Sequence, residues 1–121
     1  MAEKVTQAKV EEVQSPTGAP ITVLRFTGDV TSASKAAVLG TYQGLPPGTR
    51  RILLDFSGVD YLNSSGIALV IQLMIAASKG SQTVQTFGLK PHFIKVFTMV
   101  GITKYTKLHP DERAARAAFP E

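Results

Sequence analysis

Between Arg51 and Lys79 the chain reads RILLDFSGVDYLNSSGIALVIQLMIAASK, and no other stretch limits the fold as tightly. Ile52-Leu53-Leu54-Asp55-Phe56 has the length and apolar content of a buried strand. A turn is expected next, then the polar loop Asn63-Ser64-Ser65-Gly66, then eleven nearly all-apolar residues from Ile67 to Ala77. Strand, polar loop, helix is the reading that fits all three. It sets two hydroxyls where a helix begins, beside unpaired amides and the positive end of the backbone dipole. A phosphoryl group on a serine there would be held rather than repelled, which makes the loop a candidate switch.

The remaining residues place this unit in a sheet. Val5 to Val13 alternates loosely, and Ser15-Pro16-Thr17-Gly18-Ala19-Pro20 has the turn chemistry to join it as a hairpin to Ile21–Phe26. That second strand is expected to close at Thr27-Gly28-Asp29. Thr31 and Ser32 are candidate caps for a helix from about Ala33 to Gln43, with Ala36, Ala37, Val38 and Leu39 as its apolar face. Gly44 to Gly48 ends it, and Gly80 stops the helix after the serine loop. Thr83–Phe87 reads as a strand, Pro91 to about Met99 as a short helix ended by Gly101, and Lys104–Leu108 as a last strand. Pro110-Asp111-Glu112 opens a C-terminal helix, its acids at the positive end of the dipole. The order β-β-α-β-α-β-α-β-α predicts an α/β fold, a mixed sheet of about five strands with helices packed mainly on one face. At 121 residues a single domain is expected, with its core over about residues 5–119.

Composition removes several function classes. The longest apolar run falls short of the roughly 20 residues that span a bilayer, and Met1-Ala2-Glu3-Lys4 lacks the apolar core of a signal peptide. The chain has no cysteine, hence no disulfide framework and no thiolate ligand or nucleophile. A cytoplasmic location fits, without membrane insertion. The net charge of +4 comes from scattered bases; only Arg50 and Arg51 are adjacent, and no aromatics interleave as a nucleic-acid surface would need. A solvated surface is the better reading, with no direct nucleic-acid contact.

Enzyme chemistry finds little support. A nucleophilic serine needs a base, and the histidines are His92 and His109, both beside prolines at expected helix starts. No nucleophile elbow, phosphate-binding loop or dinucleotide fingerprint is present, and two distant histidines give no metal spacing. No cofactor is implied. Asp29, Asp55 and Asp60 fall near expected strand ends and read as turn formers or helix caps, Asp60 above all. Within the serine loop, Asn63 or Ser64 is an N-cap on the plainer reading and Gly66 permits a tight turn. The helix Ile67 to Ala77 shows almost no polar face besides Gln72, so it is either buried on both sides or partly covered by a partner protein.

Tyr61-Leu62-Asn63-Ser64-Ser65-Gly66 between an apolar strand and an apolar helix resembles the STAS domain, and more narrowly the small bacterial anti-sigma factor antagonists. Phe26-Thr27-Gly28-Asp29-Val30 and Phe97-Thr98-Met99-Val100-Gly101-Ile102 are similar to two further segments of that family, and the likeness runs from about Val5 to Phe119. What the resemblance implies is a non-catalytic partner-switching protein. The unmodified antagonist binds an anti-sigma factor that is a serine kinase, which frees a sigma factor for transcription. The kinase phosphorylates a loop hydroxyl, and a PP2C-type phosphatase resets it. On this chain the hydroxyl is Ser64, and the partner-binding loop is Asp29, Asn63, Ser64, Ser65 and Gly66. Asn63 stands where the family usually has aspartate, which removes a carboxylate that could serve kinase recognition. The resemblance also leaves room for an unphosphorylated accessory subunit of a lipid-transport ATPase, or a scaffold in a signalling assembly. A nucleotide-sensing module is a further alternative, and self-association is left open.

Overall fold

In the computed structural model, which describes residues 4–120, five strands form one mixed sheet in the order β1-β2-β3-β4-β5. Strand β1 (Gln7–Gln14) pairs antiparallel with β2 (Pro20–Val30) through the expected hairpin. Its turn is closed by the Gly18 amide donating to the Ser15 carbonyl at 2.9 Å. Strands β3 (Arg51–Leu62), β4 (Thr83–Phe87) and β5 (Thr106–His109) then add in parallel. Crossovers supply the helices: α1 (Thr41–Gln43) ends an irregular helical segment, α2 (Ser64–Lys79) follows β3, and α3 (Pro91–Met99) follows β4. Helix α4 (Glu112–Ala117) closes the described chain.

Alternation along β2 and β3 divides the sheet into two unequal cores. Leu24, Phe26, Ile52, Leu54 and Phe56 face α2, α3 and the irregular segment, burying Val38, Leu69, Val70, Leu73, Met74 and Phe97. Phe26 and Phe56 stack there with ring centroids 5.3 Å apart. Ile21, Val23, Leu53 and Phe87 face the other way and pack, with Val13 beside them, against Ala115 and Phe119 of the α4 region. At about 1.5–3 kcal/mol for each large side chain removed from water, the first core supplies most of the burial. The helices therefore lie mainly on one face, as the sequence predicts.

Several expectations are corrected. Strand β2 does not close at Thr27-Gly28-Asp29 but runs through them to Val30. The turn expected after Phe56 is absent: β3 continues to Leu62, with irregular register opposite Thr27 and Asp29. Asp60 therefore lies in a strand, and neither forms a turn nor caps a helix. Asp55 is no strand-end cap either; it is buried in mid-strand and paired to Arg25 at 2.9 Å. The helix expected from Ala33 to Gln43 is broken into a 3-10 turn (Ser32–Ser34), a π-helical stretch (Ala36–Gly40) and α1. Thr31, not Ser32, caps it, and Ala36 is exposed while Ser34 is buried. Strand β1 begins at Gln7 and β5 at Thr106, each later than the alternation suggests. Met1-Ala2-Glu3, read above for a leader, lie outside the described residues.

Candidate functional site

The serine loop sits where β3 delivers the chain to α2, at the carboxyl end of the parallel strands. Asn63 is extended, with φ −93° and ψ 178°, and its Oδ1 accepts the Gly66 amide at 2.8 Å. Its own amide donates to the Val30 carbonyl at 3.2 Å, tying the loop to the end of β2. Asn63 is thus the N-cap, and Ser64 is the first helical residue. The cap satisfies one of the helix's free amides; those of Ser64 and Ser65 precede any intrahelical acceptor and keep their capacity to donate.

Gly66 is fixed by close approach rather than by conformation. A Cβ at this position would lie 1.9 Å from the Val30 carbonyl oxygen. The first turn of α2 is pressed onto the end of β2, which leaves Ser64 and Ser65 to face outward. Both are exposed, and neither hydroxyl is hydrogen-bonded among the described residues.

Asp29 has a different occupation. Its Oδ2 accepts the Lys4 amide at 3.1 Å, its own amide donates to the Lys4 carbonyl at 3.1 Å, and Thr6 Oγ1 donates to its carbonyl at 2.5 Å. Gly28, with φ +87°, makes this possible: a Cβ there would meet the Val5 carbonyl oxygen at 2.3 Å. The segment Lys4-Val5-Thr6 therefore lies across the Gly28-Asp29 corner. Of the five residues expected in the partner-binding loop, Asn63, Ser64, Ser65 and Gly66 form one continuous turn. Asp29 neighbours Tyr61 in the β2–β3 register, its carboxylate engaged by the N-terminal segment.

Two features of this end, the ion pairs of Asp60 and the exposure of Tyr61, are not foreseen in the sequence. Asp60 accepts from Lys4 Nζ at 2.8 Å and from Lys90 Nζ at 3.1 Å, and these bonds hold its carboxyl below the usual range and raise the Lys4 ammonium. Tyr61, 50% exposed, stands two residues before the cap. Spacing cannot reveal the ion cluster, because its members come from three distant parts of the chain.

Helix α2 is neither sealed on both sides nor bare. Gly66, Leu69, Val70, Leu73, Met74 and Ala77 are buried; Ile67, Ile71 and Ile75 are half-buried; Ala68, Gln72 and Ala76 are exposed. From Ser64 onward its outer face is weakly polar and uncharged until Lys79. His109 bonds Gln85 across the α4 face at 2.8 Å, and His92 lies exposed in the first turn of α3. Neither is hydrogen-bonded to a loop serine, so the pairing that a nucleophilic serine requires is not formed among the described residues. Those residues hold no cluster of three or more His, Asp or Glu able to bind a metal, and no helix long and apolar enough to cross a membrane.

This architecture, a mixed five-stranded sheet whose third strand feeds a capped serine turn and a long helix, defines a class. Residues 17–110 match the family model described as Mlab, STAS domain, and the chain belongs to the STAS domain family. It is 31% identical over 72 residues to BtrV of Bordetella bronchiseptica, a protein described as an anti-sigma factor antagonist; the match covers 60% of this chain and 62% of that one. Among solved structures, an anti-sigma factor antagonist from Mycobacterium paratuberculosis superposes with a TM-score of 0.73 at 18% identity, over 97% of this chain and 96% of the other. The phosphorylated form of the Bacillus cell fate determinant SpoIIAA gives 0.60 at 21% identity, over 88% and 95%. At such identities the two structures establish the shared fold.

Proposed function

We propose that this chain is a non-catalytic anti-sigma factor antagonist, switched by phosphorylation of Ser64. The observation that carries the reading is the state of that hydroxyl: exposed, unbonded among the described residues, and first in a sixteen-residue helix whose outer face is uncharged until Lys79. In the unmodified chain, the turn Asn63–Gly66 and the outer face of α2 dock a serine-kinase anti-sigma factor. Phosphorylation adds about −1.5 to −2 charges at the rim of that surface. The free amides and the helix dipole offset the charge within the domain, so the fold persists while docking fails. A PP2C-type phosphatase restores the first state. The likeness to the Bordetella protein supports the antagonist role.

A second reading rests on Asn63. Lacking the carboxylate usual before the hydroxyl, the same surface suits a constitutive accessory or scaffold subunit, as for a lipid-transport ATPase. One experiment separates the two: capture of the tagged chain from its host, followed by mass spectrometry of the partner and of the Ser64 peptide. A kinase-type partner together with phosphate on Ser64 supports the switch. A transport ATPase partner with Ser64 unmodified in every growth condition replaces it.

A further inference from the structure

We propose that β1 is a self-pairing edge, through which two copies of this chain join their sheets about a two-fold axis. Strand β1 is the outer strand on the hairpin side of the sheet, and among the described residues it has no neighbour beyond it. Eight residues of edge leave a row of backbone donors and acceptors open to another strand. Its side chains are half-buried or exposed throughout, and Val10 at its middle is 48% exposed.

The charge pattern selects both the occupant and the register. Two-fold pairing of antiparallel strands within one sheet keeps each side chain on its face, so a residue must lie on the axis. With Val10 on the axis, Lys9 stands opposite Glu11 of the second copy and Glu11 opposite its Lys9. Val10 then packs on its own symmetry mate, and Ala8 faces Glu12. Moving the axis to Glu11 sets glutamate against glutamate; moving it to Lys9 sets lysine against lysine. Directly opposed like charges destabilise a sheet, whereas opposed unlike charges and β-branched pairs support it. Only the Val10 register matches the strand's charges to themselves. In the single chain Lys9 Nζ and Glu11 Oε1 already lie 3.2 Å apart along the strand, and Glu11 Oε2 also takes Arg25 Nε at 3.1 Å. Both charges are therefore held on the α4 face, where the second copy would meet them. The edge lies outside the serine turn and α2, so self-pairing and partner docking use different surfaces.

Sedimentation equilibrium of the full chain, from dilute to concentrated solution, is the test. The wild type should approach twice the 13.0 kDa of the chain. Lys9→Glu and Glu11→Lys should each sediment as monomers, because each places like charges opposite. Mixed in equal amounts, the two variants should recover the dimer, since both charged cross-strand pairs then join unlike charges. Glu11 also holds Arg25, so Val10→Lys supplies an arm independent of that contact: it places two ammonium groups on the axis and should be monomeric with an unchanged circular dichroism spectrum. A wild type that stays at the monomer mass throughout overturns the proposal. So does a dimer that survives Val10→Lys, or a mixture of the two charge variants that fails to associate.

Discussion

Two polar caps stand side by side at the carboxyl ends of β2 and β3, built from the same kinds of residue and put to opposite uses. At the first, Thr31 Oγ1 accepts the Ala33 amide at 3.2 Å, and Ser34 Oγ accepts the Thr31 amide at 2.8 Å. Ser34 Oγ in turn donates to Thr6 Oγ1, whose own proton goes to the Asp29 carbonyl. Thr31 and Ser34 are 3% and 1% exposed, so every hydroxyl is consumed. At the second, Asn63 alone does the capping, and Ser64 and Ser65 are left exposed. One cap locks the N-terminal segment onto the sheet; the other keeps its hydroxyls available. Buried hydroxyls stabilise only while every partner remains, whereas exposed ones can be altered at little cost to the fold.

The comparison breaks most severely at Gly66. An alanine Cβ 1.9 Å from the Val30 carbonyl must push α2 off the end of β2. Overpacking of this kind costs about 3 kcal/mol or more, and the Asn63–Gly66 turn should lose its geometry with it. Urea denaturation of Gly66→Ala should show the drop; a midpoint close to wild type would mean that the two caps are not pressed together.

Next in size is Ser34→Ala. It removes the Ser34 Oγ acceptor of the buried Thr31 amide and a partner of Thr6, at a cost of roughly 2 kcal/mol. Hydrogen exchange should show protection lost along Lys4-Val5-Thr6 and Gly28-Asp29, with α2 little changed. Asn63→Ala, the matching lesion in the second cap, should cost only about 1 kcal/mol and fray the first turn of α2 alone. If Asn63→Ala proved the more costly of the two, the assignment of the first cap as the structural one would fail.

Legibility in the sequence follows the same division. The second cap, α2 and the apolar part of β3 can be read directly, because an N-cap residue before a long apolar run is a local signal. The first cap is only half legible. Thr31 announces a helix, but nothing local says that Ser34 will be buried, since its partner Thr6 arrives from the far end of the β1–β2 hairpin. The extensions of β2 and β3 escape for a related reason. Thr27-Gly28-Asp29 and Ser57-Gly58 carry turn chemistry, yet irregular register absorbs them into paired strands. Asp60 looks like a turn former until the fold brings Lys4 and Lys90 to it.

Acid should act chiefly on the far face of the sheet, because the depressed carboxylate at the caps' end, Asp60, is exposed and its ion pairs are screened by water. Glu112 is bonded to Arg25 at 2.8 Å and to Arg116, and the Arg25 bonds chiefly hold its carboxyl below the ordinary 4.5. A carboxylate depressed in the folded state stabilises it above the unfolded pKa, and that contribution fades as pH falls through the folded value. His109 adds to the trend at higher pH. Burial, aided by Lys107 and opposed by Asp111, lowers its pKa from 6.5, so the folded state favours the neutral ring and loses stability as pH drops below that value. Thermal midpoints should decline from about pH 6.5 downward and more steeply below about 4.5. Hydrogen exchange should assign the early loss to β5 and α4. Loosening at Ser34 or Asn63 first would contradict this.

The smallest expected effect on the fold is the most telling for the site. Ser64→Ala removes an exposed hydroxyl with no partner among the described residues, and should shift stability by no more than about 0.5 kcal/mol. Ser64→Asp puts a carboxylate at the positive end of α2, where it should be neutral or stabilising by about 0.3–1 kcal/mol. Fold and docking then respond with opposite sign: Ser64→Asp keeps or gains stability yet binds the anti-sigma partner more weakly, while Ser64→Ala binds constitutively and takes up no phosphate at residue 64. Calorimetry against the captured partner, run beside the denaturation curves, reads both quantities on the same preparations. A Ser64→Asp chain that binds as well as wild type would remove the charge from the switch, because the dipole would then be accommodating a negative group that the partner ignores.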